Sequence, residues 1–404
     1  MDTITHGIAG ALIGKAFGKG DDMFPAKPVT RARIITWSLM LGAIFPDIDV
    51  LRDIFSHDRL LVITWHRSIT HSLLMLAIFS LLLAALTRSI ARKFKWDAPS
   101  FAILTLIYAV GILSHILLDL VTTFGTMIWS PLKWSRPAWD LIFIVDFTFT
   151  GILLIPQFLA WVYGDAKLAR LRSLLVWLVF VLLTFSVAAL ARIVGAPISL
   201  TAVGVIIMIL SLLILLPAMR GWGTRIRFAT WNRAGFIAAC FYLALAVVAH
   251  HEALERTQKF AAFQGVQVQS IGALPLPPSL LNWDGLIRTQ RGVYELRTDL
   301  SQPSGIPDGA DSTGAAQASF TYKYFPDAPM NDFIQRARQL PEVQKVLWFD
   351  RFPVTRFHKE GTEAVVEILE LRFPPMRPDR PASFTYRVRF NPDGNVTSQG
   401  WETK

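Results

Sequence analysis

Residues 100–123 read SFAILTLIYAVGILSHILLDLVTT, an apolar run long enough to cross a bilayer core, with an imidazole and a carboxylate near its end. His115 and Asp119 are four residues apart, and residues at i and i+4 share one face of a helix. Such groups are costly to desolvate at an apolar helix end unless they pair or bind a cation. The stretch therefore predicts a membrane helix that carries part of a metal site.

Further polar clusters lie where other apolar segments in the first third of the chain begin or end. They are Thr5-His6, Pro46-Asp47-Ile48-Asp49, His66-Arg67, Thr70-His71 and Thr122-Thr123. Because consecutive spans run in opposite directions, these clusters can reach the same depth in the membrane. Neutral imidazole and carboxylate ligands suit zinc, with manganese as the alternative, and several carboxylates leave room for a second ion. The sequence thus predicts a site for one or two divalent ions at one membrane surface.

The composition is that of a polytopic α-helical membrane protein. Of the 404 residues, 52% are hydrophobic and 17% are charged, and the mean hydropathy is +0.41. These values are too apolar for an ordinary soluble domain. The net charge is +10, but Lys and Arg gather in short loops between apolar segments, which argues against nucleic acid as a partner. The single cysteine, Cys240, excludes an intrachain disulfide and a thiolate zinc site.

Eight apolar segments precede residue 251. They cover residues 4–18, 34–46, 69–87, 100–121, 141–163, 173–195, 198–218 and 234–250. The first two are shorter than the roughly 20 residues that a membrane-crossing helix needs, so we expect them to be half-embedded or tilted inside the bundle. The N-terminal residues lack a basic region ahead of an apolar core, so we expect no cleavable signal peptide.

The composition after residue 251 is that of a water-soluble α+β domain. Pro275, Pro277 and Pro278 predict a break, and residues 330–340 predict an amphipathic helix. Alternating apolar and polar residues predict strands at 293–297, 319–324, 364–373 and 383–390, and the Gly/Ser/Asp-rich residues 301–313 predict a flexible loop. The predicted domains are residues 1–150 with the metal site, residues 151–251 with additional transmembrane helices, and the soluble residues 252–404.

Basic residues are concentrated in four of the short loops, and such loops face the cytoplasm. They are Lys15, Lys19, Lys27, Arg31 and Arg33 in the first, Arg88, Arg92, Lys93 and Lys95 in the second, Lys167, Arg170 and Arg172 in the third, and Arg220, Arg225, Arg227 and Arg233 in the fourth. If the spans alternate, all four loops share one side. We therefore expect a multi-pass protein of the bacterial inner membrane with its polar clusters and its C-terminal domain on the outer, periplasmic side.

Four spaced blocks of this sequence resemble the YdjM-like, LexA-regulated family of membrane-bound metal-dependent hydrolases over roughly residues 1–150. The blocks are Thr5 to Gly14, Gly42 to Asp49, His66-Arg67-Ser68-Ile69-Thr70-His71-Ser72, and Ser114 to Asp119 with Thr122, Thr123, Gly125 and Pro131. More remotely, that family is similar to zinc-dependent phospholipase C and related nucleases. The resemblance implies metal ligands at His6, Asp47 or Asp49, His66, His71, His115 and Asp119.

The predicted activity is hydrolysis of a lipid or lipid-linked ester at the outer face of the membrane, with a phosphodiester as the expected bond. A divalent ion acidifies a bound water and polarises the ester oxygen. A free carboxylate among Asp47, Asp49 and Asp119 can act as general base, and we assign this role to Asp49. Arg67 suits the anionic phosphate. The expected partners are membrane lipid and the lipid substrate, whereas the oligomeric state is not defined by the sequence.

Some of these residues admit a second interpretation. Arg67 also suits a snorkelling anchor at the membrane surface. His115 and Asp119 can form a simple hydrogen-bonded pair, although a pair would not explain the other clusters at the same depth. Asp140 and Asp146 suit either support of the metal ligands or the ends of a loop.

The alternative function is a non-catalytic one, either a metal-binding membrane transporter or a scaffold for the outer domain. A transporter is expected to place its ionisable residues near the bilayer midplane in broken helices. In this chain they collect at one surface, which favours the enzyme over the transporter and leaves the scaffold open.

Overall fold

Long apolar helices form the N-terminal part of the protein, whose computed structural model describes residues 1–18, 30–56, 58, 60–193, 198–303, 321–373 and 384–402. The helices are α1 (Thr3–Phe17), α2 (Arg31–Ile44), α3 (Val50–Phe55), α4 (Leu61–Thr64), α5 (Leu73–Lys93), α6 (Phe101–Leu120), α7 (Phe147–Tyr163), α8 (Ala169–Ile193), α9 (Leu200–Ile214), α10 (Leu216–Arg220) and α11 (Phe228–Phe263). Two short 3-10 turns, Phe45–Asp49 and Ile69–His71, connect α2 to α3 and precede α5.

Six helical stretches within the described residues are long and apolar enough to cross a membrane. They are Arg31–Arg52, Leu73–Lys93, Phe101–Leu120, Ala169–Ile193, Leu200–Arg220 and Phe228–Phe263, and α7 is apolar but shorter. This confirms the predicted polytopic class. The segment predicted as short at 34–46 is part of a 22-residue stretch. It continues because Pro46 lies at the start of the 3-10 turn, where a missing N–H costs no helical hydrogen bond.

Successive helices run in opposite directions, so the described parts of the basic loops lie at one end of the bundle. Arg233 donates from Nε to the carbonyl of Ala16 at 2.9 Å, which joins the start of α11 to the end of α1, next to the last and first of these loops. Lys19 and Lys27 lie outside the described residues. The other end of the bundle holds the start of α1, the turn after α2 and the end of α6. The polar clusters of the sequence are therefore gathered at the end opposite the basic loops.

Close packing of α2 on α6 aligns the two elements that carry carboxylates. A Cβ atom at Gly111 would lie 2.8 Å from the carbonyl oxygen of Leu39 and 3.0 Å from the Cα of Gly42, so only glycine permits this approach. Small residues allow membrane helices to approach closely in this way. One turn further along α6, His115 reaches the carbonyl of Ala43 through Nδ1 at 2.6 Å. The helix crossing thus sets the position of the His115 ring.

The C-terminal part contains two four-stranded antiparallel sheets, which confirms the predicted α+β domain. The first has the order β1 (Ser270–Leu276), β2 (Asn282–Thr289), β3 (Gly292–Asp299), β4 (Thr321–Pro326), and the second β5 (Pro353–Glu360), β6 (Glu363–Glu370), β7 (Thr385–Phe390), β8 (Val396–Trp401). Helices α12 (Asp332–Gln339) and α13 (Pro341–Phe349) pack on the second sheet. The predicted loop at 301–313 lies outside the described residues from 304 onward, as do residues 319 and 320 of one predicted strand.

Residues around the predicted proline break form a strand instead. Pro275 lies within β1 and pairs with Trp283 of β2. β1 lies at the edge of its sheet. An edge strand tolerates proline, which has no N–H to donate, because one side of the strand has no neighbouring strand. Pro277 and Pro278 follow the strand, as a break requires.

Helix α11 links the membrane part to the soluble part without interruption. It continues to Phe263, so the predicted boundary after residue 251 falls inside a helix. Ion pairs at i and i+4, Glu252 with Arg256 and Glu255 with Lys259, stabilise the exposed face of the extension. Its other face buries Phe260 against the first sheet.

The second sheet and its helices pack against the end of the bundle that carries the polar clusters. The Phe124 ring contacts the rings of Phe349, Phe373 and Phe384 at centroid distances of 5.3, 6.0 and 6.2 Å. Arg372 donates from Nη1 to the carbonyl of Thr123 at 3.2 Å. The soluble domain therefore covers the loop that follows α6.

Candidate metal centre

Two histidines and two aspartates from three elements converge at the covered end of the bundle. Asp47 comes from the turn after α2, His71 from the turn before α5, and His115 and Asp119 from α6. Each offers one nitrogen or oxygen ligand atom, and these atoms all lie within 4.8 Å of one another. His71, His115 and Asp119 are buried, whereas Asp47 is partly exposed. The four side chains form a donor set that can hold a metal ion.

Both imidazoles direct the same nitrogen toward the centre of this set. The Nε2 atoms of His71 and His115 are 2.9 Å apart, and they lie 3.2 and 3.3 Å from Oδ2 of Asp119. Oδ1 of Asp47 is 3.7 and 3.5 Å from the same two nitrogens. Oδ2 of Asp119 has no hydrogen-bond donor among the described residues, although it is fully buried. An acceptor-rich centre of this kind favours a cation.

Polar groups behind the two imidazoles orient them. His115 contacts the carbonyl of Ala43 through Nδ1, an arrangement in which Nδ1 carries the hydrogen and Nε2 presents its lone pair. His71 has Thr70 Oγ1 at 3.0 Å and Asp49 Oδ2 at 3.4 Å from its Nδ1 atom. Metal-binding histidines usually have such a carbonyl or carboxylate partner on the second ring nitrogen.

The charge around His71 is strongly negative. Burial lowers the pKa of His71, but the carboxylates of Asp119, Asp47 and Asp49 outweigh burial and raise the pKa to about 10. The same potential that retains a proton on this imidazole attracts a metal cation in its place, and metal binding then releases the proton.

Asp49 and His66, which the resemblance implies as metal ligands, lie beside the four-residue set. Asp49 accepts hydrogen bonds from the backbone N–H of Arg67 and the hydroxyl of Thr70, both at 3.0 Å. Its other oxygen is 3.0 Å from Nδ1 of His66. The Asp49 carboxylate thus joins the residues around His71 to one another.

His6 lies against the centre on the side of α1. Its ring stacks on the His115 ring at a centroid distance of 3.6 Å, and its Nε2 is 3.2 Å from Oδ1 of Asp119. The same Asp119 oxygen also accepts a hydrogen bond from the N-terminal amine of Met1. His6 is therefore close enough to contribute to metal binding. However, its Nε2 contacts Oδ1 of Asp119, whereas His71 and His115 face Oδ2.

Arg67 is buried and holds Asp119. Its Nη2 lies 3.0 Å from Oδ1 of Asp119, and its Nη1 donates to the hydroxyl of Thr122 at 3.0 Å. The residue has a φ of 60°, a conformation that non-glycine residues rarely adopt and that is often found at functional sites. Both Nη atoms of Arg67 therefore have partners, and one of these partners is the Asp119 carboxylate of the centre.

Arg136 is a residue of the site that the sequence patterns do not suggest. It donates from Nη2 to the carbonyls of Ile63 and His66 at 3.0 and 2.6 Å. Burial and the neighbouring positive charges of Arg67 and Arg372 lower the pKa of Arg136 to about 9. The only signal in the sequence is that residues 124–140 contain few basic residues, and this signal does not connect Arg136 to the histidine clusters.

Asp140 and Asp146, which the sequence left open, both have structural partners. Asp146 caps α7 by accepting from the N–H of Phe149 at 3.0 Å, and it accepts from the Tyr242 hydroxyl at 2.7 Å. Asp140 pairs with Arg351 of the soluble domain at 2.9 Å. Neither carboxylate belongs to the four-residue set.

Gly125 is expected to tolerate no side chain, because Arg136 crosses directly over it. A Cβ atom there would lie 2.6 Å from Cγ and 2.9 Å from the carbonyl oxygen of Arg136, and the φ of Gly125 is +81°. Gly265 has a φ of +62° with nothing within 4 Å, so Gly265→Ala is a matched control for backbone strain. Both variants should lose roughly 1–2 kcal/mol from the left-handed backbone. Gly125→Ala should lose about 1–3 kcal/mol more from overpacking.

Thermal unfolding of the two purified variants measures this difference. Equal losses of stability would contradict the close approach of Arg136 to Gly125.

The fold and the site together define a polytopic membrane protein with a candidate metal centre at one end of its bundle. The sequence model of the YdjM inner membrane protein family matches residues 1–196, just under half of the chain. Over this region the chain is similar to that family, and the six long apolar helices support a location in a membrane. The match extends beyond residue 150, the expected end of the resemblance, and stops before the soluble domain. No curated protein and no solved structure matches the chain, so the remote similarity to phospholipase C remains a prediction.

Proposed function

We propose that this protein is a metal-dependent hydrolase that acts on a lipid or lipid-linked phosphoester at the membrane surface. The observation that carries the proposal is the convergence of the Nε2 atoms of His71 and His115 on the carboxylates of Asp47 and Asp119. Two carboxylates and two imidazole nitrogens at these distances favour a positive charge between them, supplied either by the proton on His71 or by a metal ion that replaces it. Nitrogen and oxygen donors in this ratio suit zinc or manganese.

Asp47, His71, His115 and Asp119 would hold the ion. When bound, it would supply an acidified water and a Lewis acid for the ester oxygen. Asp47 is the partly exposed member of the set, and Oδ2 of this residue accepts a hydrogen bond from Thr3 at 2.6 Å. A substrate would therefore approach from the side of Asp47 and Thr3, because the other three ligands are buried.

The contacts of Asp49 and Arg67 favour positioning roles. Asp49 orients His71 and fixes the backbone of Arg67, while Arg67 and His6 hold one oxygen of Asp119. The other oxygen of Asp119 then faces the two imidazoles. This assignment differs from the sequence-based prediction of Asp49 as general base, and the rate of hydrolysis by Asp49→Asn distinguishes the two roles.

Apolar side chains beside the open face support a lipid substrate. Ile4 follows Thr3 and is 74% exposed, and Ile48, between Asp47 and Asp49, is 49% exposed. Both lie at the end of the bundle where helices leave the apolar part of the membrane. A phosphoester near Asp47 could thus keep its acyl or isoprenoid chain in contact with apolar surface.

The direct test is an assay of the purified protein, loaded with zinc or manganese, on a panel of phospholipids and isoprenoid phosphates. We expect cleavage of at least one phosphoester, with loss of activity on chelation and recovery on re-addition of the metal. Metal binding without cleavage of any panel member would favour the scaffold, the second candidate function. The observation that supports the scaffold is the packing of the soluble domain against Phe124 and Thr123.

The periplasmic orientation of the soluble domain is a further part of the proposal, and it rests on the basic loops at the opposite end of the bundle. Single cysteines in a Cys240→Ala background test it with a membrane-impermeant thiol reagent in intact cells. Cysteines at the exposed residues Lys93, Arg170 and Arg225 should be protected, whereas cysteines at the exposed residues Lys133 and Gln302 should be labelled. The reverse pattern would place the site on the cytoplasmic side.

A further inference from the structure

We propose that Arg136, together with Arg67, binds a phosphoryl group next to the metal centre. The observation is a set of buried N–H groups without an acceptor. Nε of Arg67 and both Nε and Nη1 of Arg136 are buried and have no hydrogen-bond partner among the described residues. Buried donors of charged groups are costly when they are left unpaired, and an ion or water usually satisfies them.

The two guanidinium groups are neighbours. Arg136 donates to the carbonyl of His66, the residue that precedes Arg67 in the chain. The Cζ atoms of Arg136 and Arg67 lie 4.8 and 5.1 Å from the centroid of the same ring, that of Phe124. Both guanidinium groups therefore lie near one ring, and Nη2 of Arg67 is 3.0 Å from Oδ1 of Asp119.

The positive charges of the two arginines favour binding of an anion in this region. Among the described residues, Arg67 has one carboxylate partner, Asp119, whereas Arg136 donates only to carbonyls and has none. Asp119 is also a member of the candidate metal centre. A divalent ion there would satisfy Asp119 and leave the two arginines with excess positive charge.

A phosphoryl group fits these requirements. Guanidinium groups bind phosphate oxygens through paired N–H donors, and a nearby metal ion can bind another oxygen of the same group. Because the Nη atoms of Arg67 are occupied by Asp119 and Thr122, Arg136 supplies most of the free donors. This inference rests on the proposed metal centre, and it assigns to the site a residue that recognises the phosphoryl part of the substrate.

Arg136 also packs between aromatic rings, so the experiment must separate anion binding from packing. Its Cζ atom lies 5.5 Å from the ring centroid of Phe349 in the soluble domain. Arg351 is a suitable control, since it joins the soluble domain to Asp140 at the same interface but lies outside the centre. The variants are Arg136→Gln, Arg136→Lys and Arg351→Gln in the full-length, zinc-loaded protein.

The probe is inorganic phosphate, and its dissociation constant is measured by titration calorimetry together with zinc content and thermal unfolding. We expect Arg136→Gln to weaken phosphate binding by about 10- to 100-fold, since it removes hydrogen bonds to a charged group. Arg136→Lys should recover part of the loss because it keeps the charge, and Arg351→Gln should bind phosphate like the wild type. Zinc content should be the same in all four proteins.

Three results would overturn the proposal. They are absence of phosphate binding by the wild type, unchanged binding by Arg136→Gln, and equal weakening in Arg136→Gln and Arg351→Gln, which would show that Arg136 only packs the interface. Phosphate binding without hydrolysis of any lipid would refute the proposed enzyme and leave the anion site standing.

A second arm identifies the source of the phosphoryl group, in phosphatidylcholine nanodiscs with or without phosphatidate. A lipid headgroup at Arg136 is supported if phosphatidate weakens phosphate binding by the wild type. The affinity of Arg136→Gln for phosphate should then be the same with and without phosphatidate. Unchanged phosphate affinity supports free phosphate at the same residue.

Discussion

The double variant His115→Ala with Asp119→Ala is expected to lose almost all of its bound metal. It removes two of the four donors that lie within 4.8 Å of one another, and two donors do not complete the roughly four-coordinate geometry of a zinc site. The purified wild type should contain about one to two equivalents of zinc or manganese, which metal analysis by mass spectrometry determines. Membrane insertion should persist, since the spans Leu73–Lys93 and Ala169–Ile193 are unchanged.

Matched variants separate the loss of a ligand from a general disturbance of the bundle. His251→Ala changes an exposed histidine away from the centre and should leave the metal content unchanged. Asp119→Asn keeps the shape of the side chain and should still lose most of the metal, because the amide carries no charge. Thr70→Val removes a hydroxyl beside Nδ1 of His71 and should weaken metal affinity by about 10- to 100-fold. Unchanged metal content in the double variant would show that the four-residue set is not the binding site.

Asp49→Asn and Arg67→Lys are expected to reduce hydrolysis strongly in protein that is saturated with metal. The amide introduced by Asp49→Asn cannot accept from His66, Arg67 and Thr70 as the carboxylate does, so the His71 ring should lose its fixed orientation. The ammonium introduced by Arg67→Lys carries the charge but cannot reach both Asp119 and Thr122 as the two Nη atoms do. The measurement is the rate on the cleaved lipid, or complementation in cells if no substrate is yet known.

The size of the loss in Asp49→Asn distinguishes two roles. A positioning carboxylate behind a metal ligand typically contributes about 10- to 100-fold. A general base contributes about 10² to 10⁴ in rate, and its loss also removes the acidic limb of the pH profile, where protonation of the base stops the reaction. The scaffold hypothesis makes the opposite prediction. It expects both variants to retain function, whereas deletion of residues 260–404 should abolish it.

Local patterns in the sequence were sufficient to predict the class of the protein and the residue types of the site. Hydropathy, charge and the period of apolar residues are local properties, so they predicted the membrane helices, the helix at 330–340 and strands at 293–297 and 364–373. The i, i+4 spacing placed His115 and Asp119 on one helical face for the same reason. Strands such as β1 were missed because the effect of a proline depends on whether its strand lies at a sheet edge.

Long-range packing selects which polar residues meet. Asp47 and Asp49 are the same residue type at nearly the same position, but they lie two residues apart in a 3-10 turn, so their side chains leave the turn in different directions. Asp47 therefore faces the imidazole nitrogens of the centre, whereas Asp49 lies behind His71, on the side of its Nδ1 atom. Arg136 reaches His66 across 70 residues, and the soluble domain reaches Thr123 across 249. Contacts of this kind depend on how helices and loops pack, and no local pattern in a single sequence records them.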